Sequence, residues 1–450
     1  MMGPNDVHAV LAKYQLTDGY PIVLDLERSE GVWLFDSVSG KRYLDAFSFF
    51  ASWPMGYRHP MLLDAEFQEE LLRAATTKTS NSDVYTVEMA RFVEAFATRV
   101  TPEGFPHHFW VSGGALGVEN ALKTAFDWKA RKIGRTSFES NVNDLVVLHL
   151  RHAFHGRTGY TLSVTNTRPD KTGLYPKFDW PRVHNPAIEF DLQGEIANDI
   201  EAEEQRAYDD IDEAYANYGT RIAAILIEPM QGEGGDNHFR GEFLAALRTI
   251  ADERDSMLVF DEVQTGFFGS GKPWMWQHFD VKPDLVAFGK KTQVCGFYAS
   301  ERVDEVVDNV FSLSSRINST WGGNLVDMVR CRRFIEICEQ EDLSTKVAAA
   351  GDRLIAGLRS IAHRSGVMSN IRGRGSLVAF TVDTPERRGQ ILGDMFDNEL
   401  MALPCGPNSI RFRLPFVIQP GEIDEILNRT EASLRPPTRE RPLTRQELGG

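Results

Sequence analysis

The sequence is short of cysteine, of long apolar runs and of basic residues. None of its four cysteines, Cys295, Cys331, Cys338 and Cys405, forms a CxxC pair, which argues against a zinc site and predicts buried free thiols in a reducing compartment. The apolar run Ile222–Ile227 is far too short to span a bilayer. The first residues lack the charged stretch followed by an apolar stretch that marks a signal peptide. We therefore expect a cytoplasmic protein with no membrane partner.

The charge balance is acidic. The 450 residues include 49 Lys and Arg against 64 Asp and Glu, a net charge of −15, and this disfavours a nucleic-acid partner. Eleven acidic residues and one basic residue, Arg206, lie at 189–213. Apolar side chains recur there at roughly helical spacing, which predicts a solvated helix with one buried stripe. The stripe would consist of Ile196, Ile200, Tyr208, Ile211 and Tyr215.

The pattern along the chain predicts an α/β protein of more than one domain. A chain of this length is too long for one hydrophobic core, and short apolar runs alternate with amphipathic helices, which favours a mostly parallel sheet. The predicted strands cover 109–111, 145–148, 223–227, 257–260 and 285–288, and the predicted helices cover 118–129, 243–254 and a stretch ending at 339. A β-hairpin is predicted over 32–44. Three prolines and four arginines without apolar periodicity predict a mobile tail at 435–450.

A strand end that runs through glycines into a helix occurs at 111–115, where the sequence reads VSGGA. Backbone N–H groups at a helix N-terminus favour an anion, so a phosphate could sit on Gly114 and Ala115. Taken alone, the pattern fits a tight turn without a ligand equally well.

Two further strand ends carry charged residues. LVFDEVQTG at 258–266 ends a strand in Asp261 and Glu262, whose side chains must face opposite ways. PDLVAFGKK at 283–291 ends the next strand in a glycine and two lysines. Alone, the first segment fits an acidic turn and the second fits a surface lysine. Together they offer a phosphate cradle, a carboxylate and a lysine, the three groups that pyridoxal phosphate needs.

With these three segments, the sequence resembles the class III pyridoxal-phosphate aminotransferases over about residues 20–434. The resemblance rests on 258–271 and 284–295, and also on SGGA at 112–115, AFHGRT at 153–158, EP at 228–229, GEG at 232–234 and Arg411. It implies the fold-type I architecture, which has a large domain with a mostly parallel sheet and a smaller α+β domain from both chain ends. We expect the large cofactor-binding domain at 61–325, and the small domain at 1–60 and 326–434.

The resemblance assigns pyridoxal phosphate to a set of named residues. Lys290 follows a glycine and lies six positions after Asp284, as the family's Schiff-base lysine does, whereas Lys291 does neither. Lys290 would also act as general base and acid after the substrate amine displaces it. Asp261 would pair with the pyridine nitrogen. The other implied cofactor contacts are Gln264 on the phenolic oxygen, Phe154 on the ring face, and Gly114, Ala115 and Thr320 on the phosphate.

The resemblance also implies how substrates are held. Arg157 would clamp a carboxylate with its two-pronged guanidinium. Glu233 would mask Arg411 while the amine donor is bound and release it for the second carboxylate of the acceptor, with Arg413 as a weaker alternative to Arg411. Asn318, in the segment RINSTWGG at 316–323, would help to position the substrate. In relatives this segment reaches the neighbouring subunit's site, which implies a homodimer with shared active sites.

Within the family, GKKTQVCG at 289–296 and RINSTWGG are most like the members that act on the 6-amine of L-lysine. The implied reaction transfers that amine to 2-oxoglutarate and gives glutamate and 2-aminoadipate 6-semialdehyde. The alternatives are another ω-amine donor, such as ornithine, 4-aminobutyrate or a diamine. A racemase, mutase or decarboxylase on the same fold, or a cofactor-binding transcription regulator, is also consistent with the fold.

One alternative concerns histidines. His155 could serve as a rival base, and His149, His152 and His155 could be imagined as metal ligands. No carboxylate or cysteine shares their spacing, so we expect no metal.

Overall fold

The computed structural model describes residues 2–434, so the predicted mobile tail at 435–450 lies outside the described residues. The helices are α1 (Val7–Leu11), α2 (Ser48–Ala51), α3 (Ala65–Thr76), α4 (Val87–Arg99), α5 (Gly114–Lys132), α6 (Gly159–Val164), α7 (Pro169–Thr172), α8 (Ile200–Tyr218), α9 (Gly241–Glu253), α10 (Leu325–Gln340), α11 (Leu343–Ser365), α12 (Pro385–Asp397) and α13 (Pro420–Ser433). The strands are β1 (Trp33–Phe35), β2 (Arg42–Asp45), β3 (His107–Val111), β4 (Val146–Leu150), β5 (Arg182–Val183), β6 (Ile222–Ile227), β7 (Met257–Asp261), β8 (Leu285–Phe288), β9 (Cys295–Ala299), β10 (Ser369–Arg374), β11 (Leu377–Thr381), β12 (Leu400–Met401), β13 (Leu403–Cys405) and β14 (Ser409–Arg413).

The described chain forms two compact units. The large unit holds residues 65–189 and 196–342, and the small unit holds 2–64, 190–195 and 343–434. Helix α10, which the sequence analysis placed in the C-terminal domain, lies in the large unit because it packs on α3 and α4. The domain assignment as a whole stays a prediction.

The large unit is built on a seven-stranded sheet with the order β3-β9-β8-β7-β6-β4-β5. Strands β5, β4, β6, β7 and β8 are parallel, and β9 is antiparallel to both of its neighbours. All six residues of β6 are at most 1% exposed, as expected for a strand that is covered on both faces. The predicted α/β architecture with a mostly parallel sheet is confirmed, and each predicted strand falls on a strand of this sheet.

The predicted acidic helix is present, but it begins later than the predicted stretch at 189–213. It is α8, and it begins at Ile200 because the Asp199 side chain accepts a hydrogen bond from the Ala202 N–H at 3.2 Å and caps it. Its buried side includes Ile211 and Tyr215. The prediction was wrong for Ile196, which precedes the helix and is 43% exposed.

The small unit contains one mixed sheet and one antiparallel sheet. Strands β1 and β2 form the predicted hairpin, and β12 joins β2 in parallel. The second sheet has the order β10-β11-β14-β13. Apolar side chains of α11, α12 and α13 pack with this sheet into one core, which includes Leu354, Phe380, Ile391, Phe412 and Ile426.

All four cysteines are buried and free, as predicted. Within residues 2–434, no helix combines the length and the apolar character that a membrane span needs.

Candidate active site

One cavity of about 270 Å³ lies where the carboxyl ends of β6, β7 and β8 approach the N-terminus of α5. Its volume is near the lower end of small-molecule sites, which is roughly 300 Å³. The predicted site residues that line it are Gly114, Ala115, Phe154, Arg157, Glu233, Asp261, Gln264 and Lys290. His155, Gly156, Glu228 and Val263 complete the lining. All of these residues belong to the large unit.

The N-terminus of α5 forms one end of the cavity. Gly113 precedes the helix with a φ of 111°, no side chain caps the helix, and its first turn carries no acidic residue. A Cβ on Gly289 would lie 3.4 Å from the Cα of Gly114 and 3.0 Å from the Cys295 Sγ. The glycine therefore lets the end of β8 approach the helix closely. The arrangement offers free space and N–H groups for an anion beside Lys290.

Asp261 is held by a histidine that sequence reasoning did not assign to it. His155 Nδ1 lies 2.7 Å from Asp261 Oδ2, and both side chains are almost completely buried. The other carboxylate oxygen, Oδ1, accepts the Val263 N–H at 3.0 Å. His155 Nε2 is buried and has no hydrogen-bond partner among the described residues. This pairing makes His155 a partner of the carboxylate rather than a rival base.

Glu262 faces away from the cavity, as strand alternation predicts. Its carboxylate accepts the N–H groups of Met275 and Trp276, each at 2.8 Å, and the Thr265 hydroxyl at 3.0 Å. Complete burial raises the pKa of Glu262 to about 7, against the lowering effect of these hydrogen bonds. The two neighbouring carboxylates therefore have different roles, and only Asp261 lines the cavity.

Glu228 organises two loops of the lining. It accepts the Phe154 N–H and the Gly232 N–H, each at 3.0 Å. Burial raises its pKa to about 7, His155 opposes that rise, and the charge of Asp261 adds to it. Sequence reasoning included Glu228 in a motif but gave it no role.

The two lysines after β8 have different environments. Lys290 lines the cavity with a positive φ of 53°. Lys291 is buried and donates to the Gln264 carbonyl oxygen. A Cβ on Gly232 would lie 2.2 Å from Gln264 Oε1, so a side chain at position 232 would displace the end of the Gln264 side chain that lines the cavity.

Glu233 pairs with Lys171, a lysine of α7 that the sequence analysis did not single out. The predicted residue Arg411 lies on β14 of the small unit, where it is 1% exposed. Its predicted role stays a prediction.

Asn318 and Thr320 do not line the cavity of their own chain. Both are exposed, and their segment is held by hydrogen bonds from the Ser80 hydroxyl to the Thr320 carbonyl at 2.6 Å and from the Ser82 hydroxyl to the Ser319 carbonyl at 2.7 Å. Their roles also stay predictions.

His149 lies on β4 and does not line the cavity. Its Nε2 accepts a hydrogen bond from Arg182 Nε at 3.2 Å, and burial lowers its pKa to about 3. In the described part of the chain, no group of three or more His, Cys, Asp or Glu side chains could hold a metal ion.

Comparison with known proteins identifies a family over nearly the whole chain. The aminotransferase class-III family matches residues 14–434. An L-lysine-epsilon aminotransferase of Amycolatopsis lactamdurans is 50% identical over 437 residues, which cover 96% of each chain. A solved structure of a lysine aminotransferase from M. tuberculosis, in the internal aldimine form, has a TM-score of 0.91 and 48% identity; it covers 96% of this chain and 99% of that one. The 4-aminobutyrate aminotransferase of Schizosaccharomyces pombe is 30% identical over 430 residues, which cover 91% of this chain and 89% of the relative.

Proposed function

Since the chain belongs to the class-III aminotransferase family, we propose that it transfers the 6-amino group of L-lysine to 2-oxoglutarate. The products would be glutamate and 2-aminoadipate 6-semialdehyde. The choice of donor rests on sequence identity to the relatives. Lysine-epsilon aminotransferases are 47% to 50% identical over 95% to 96% of the chain, whereas 4-aminobutyrate aminotransferases are 30% identical. The residues that line the cavity support pyridoxal-phosphate chemistry.

The residues of the cavity fit pyridoxal phosphate. Gly114 and Ala115 open a long helix whose first turn is free of acidic side chains, which suits the phosphate. Asp261 suits a protonated pyridine nitrogen, and Lys290 supplies an amine for covalent attachment. Phe154 and Gln264 line the same cavity and would contact the ring face and the phenolic oxygen. When bound, the cofactor supplies a cationic ring that takes up the electron pair left as the substrate carbon loses its proton.

Asp261 and His155 would act as one unit. The buried carboxylate would balance the ring's positive charge, and the 2.7 Å hydrogen bond from His155 fixes its orientation. The Val263 N–H holds the second carboxylate oxygen. Because both oxygens are held, little reorganisation is needed when charge develops at the ring.

Lys290 would have two tasks. Its amine holds the cofactor between turnovers. Once the substrate amine takes that position, Lys290 Nζ would move a proton between the substrate carbon and the cofactor, acting first as base and then as acid. The neighbouring Lys291 is committed to the Gln264 carbonyl and would help to shape the turn instead.

Arg157 lines the cavity and would bind a substrate carboxylate through its paired N–H groups. Glu233 would mask Arg411 while the amine donor is bound and release it to bind the second carboxylate of the acceptor. The exposed positions of Asn318 and Thr320 support a role in the site of a second subunit, with Thr320 on the phosphate, and hence a homodimer. A cytoplasmic location remains part of this proposal.

Single-turnover measurements across amine donors test the proposal. The purified holoenzyme is mixed separately with L-lysine, ornithine, 4-aminobutyrate and a diamine, and the rate of the cofactor's absorbance change is recorded, with Lys290→Ala as the inactive control. We expect L-lysine to give the fastest single-turnover change, and repeated turnover only when 2-oxoglutarate is added. A faster single-turnover change with another donor would mean that lysine is not the preferred donor, and repeated turnover without an oxoacid would refute aminotransfer.

A further inference from the structure

A partly buried lysine pairs with the carboxylate that the proposed function assigns to substrate discrimination. Lys171 Nζ pairs with Glu233 Oε1, and the two side chains are only 15% and 20% exposed. Glu233 lines the cavity with Lys290 and Arg157, whereas Lys171 does not. The lysine can therefore influence the cavity through the carboxylate that it holds.

We propose that Lys171 is a positioning residue that sets the discrimination between dicarboxylate substrates and L-lysine. It would do so by holding the Glu233 carboxylate, and offsetting its charge at the cavity, while Arg411 binds the second carboxylate of the acceptor. This inference rests on the proposed function, because it names a determinant of that site's specificity.

The backbone around Glu233 is fixed, so the side chain decides where its charge lies. On one side, the Gly232 N–H is bound to the buried Glu228 carboxylate at 3.0 Å. On the other side, a Cβ on Gly234 would lie 1.9 Å from the His152 carbonyl oxygen, which shows how closely that loop packs. With both neighbours held, the remaining freedom of Glu233 is its rotamer, and Lys171 restricts it.

The segment that carries Lys171 is held independently of Glu233. The Gly173 N–H donates to the Pro169 carbonyl at 2.7 Å, and Lys177 Nζ donates to the Thr172 carbonyl at 2.9 Å. In the same segment, Arg168 forms its own pair with Asp170 at 2.7 Å. Arg168 therefore provides a matched control, since it is a cation of the same segment whose partner does not line the cavity.

The charges of the substrates give the direction of the effect. At neutral pH, 2-oxoglutarate carries two negative charges and glutamate carries one net negative charge, whereas L-lysine carries one net positive charge. A cation beside Glu233 lowers the repulsion between that carboxylate and a substrate carboxylate. Removing Lys171 takes away one compensating charge, so it should disfavour the dicarboxylates and should not weaken the binding of L-lysine.

The test measures the two half-reactions separately in the holoenzyme. Lys171→Ala and Lys171→Gln should raise the KM for 2-oxoglutarate and for glutamate at least about tenfold, the change expected for one charge within about 12 Å at an effective dielectric of about 20. Their kcat/KM for L-lysine should not fall, because losing a cation does not disfavour a substrate with net positive charge. Lys171→Arg should restore wild-type values, and Arg168→Ala should match wild type throughout.

A second comparison shows whether Lys171 acts through Glu233. In a Glu233→Gln background, Lys171→Ala should raise the KM for 2-oxoglutarate clearly less than it does in the wild-type background, because no charged carboxylate remains for the lysine to position. The same tenfold change in that background, or an equal loss in both half-reactions, would overturn the inference. If the wild-type protein does not use lysine, the proposed donor fails, yet the 2-oxoglutarate and glutamate measurements still decide the role of Lys171.

Discussion

Replacing His155 tests whether its hydrogen bond to Asp261 supports the chemistry. The pair is 2.7 Å long, and both side chains are almost fully buried. A hydrogen bond to a charged group contributes about 1.5–3 kcal/mol, and each 1.36 kcal/mol is tenfold in rate. If this energy acts mainly when charge develops at the ring, His155→Ala should lower kcat by about 10- to 150-fold. The KM values should stay nearly unchanged, because the imidazole contacts the carboxylate rather than the substrate.

His155→Asn is the matched variant, since the asparagine amide nitrogen can take the place of Nδ1 as a donor to Asp261. We expect it to recover most of the lost kcat. The assay is steady-state turnover with both substrates varied, together with a thermal melt of each holoenzyme. Equal losses in the alanine and asparagine variants, or a loss confined to KM, would refute the positioning role.

Two further predictions concern Glu262 and Gly232. Because burial raises the pKa of Glu262 from 4.5 to about 7, the folded state binds more protons than the unfolded state in that window, and stability should fall as pH rises from about 4.5 to 7. The measurement is the free energy of unfolding, from urea titrations at several pH values. Glu262→Gln should reduce the fall of this free energy with pH, whereas the control Glu301→Gln, at an exposed position, should leave it as in the wild type. An unchanged dependence in Glu262→Gln would contradict the raised pKa. Gly232→Ala should weaken pyridoxal phosphate binding about tenfold, measured by equilibrium titration, because its Cβ would lie 2.2 Å from Gln264 Oε1. Gly421→Ala, whose Cβ meets nothing within 4 Å, is the control, and equal affinities in the two variants would rule out the displacement of Gln264.

The sequence was sufficient to predict the architecture and the central part of the site. Buried apolar runs that end in Asp261 and in Lys290 identify strand ends, and parallel strands bring their carboxyl ends to one edge of the sheet. Gly114 and Ala115 then indicate a helix N-terminus that could hold a phosphate. These features are local in sequence, so a single chain reveals them.

The pairings between distant residues were not predictable in the same way. His155 and Asp261 are 106 positions apart, and Lys171 and Glu233 are 62 apart. The sequence around His155 or Lys171 does not indicate the partner of that residue, because each contact depends on how separate segments of the chain pack together. The start of α8 was also missed, because the helical spacing of Ile196 suggested a longer helix than the Asp199 cap allows.

The central claim is that the amine of Lys290 holds the cofactor. The most direct measurement is to reconstitute the purified protein with pyridoxal phosphate, reduce it with borohydride, digest it and locate the modified lysine by mass spectrometry. We predict one modified residue, Lys290, and no modification in Lys290→Ala, whereas Lys291→Ala is labelled as the wild type is. Label on Lys291 or on any other lysine, or none at all in the wild-type protein, would contradict the account.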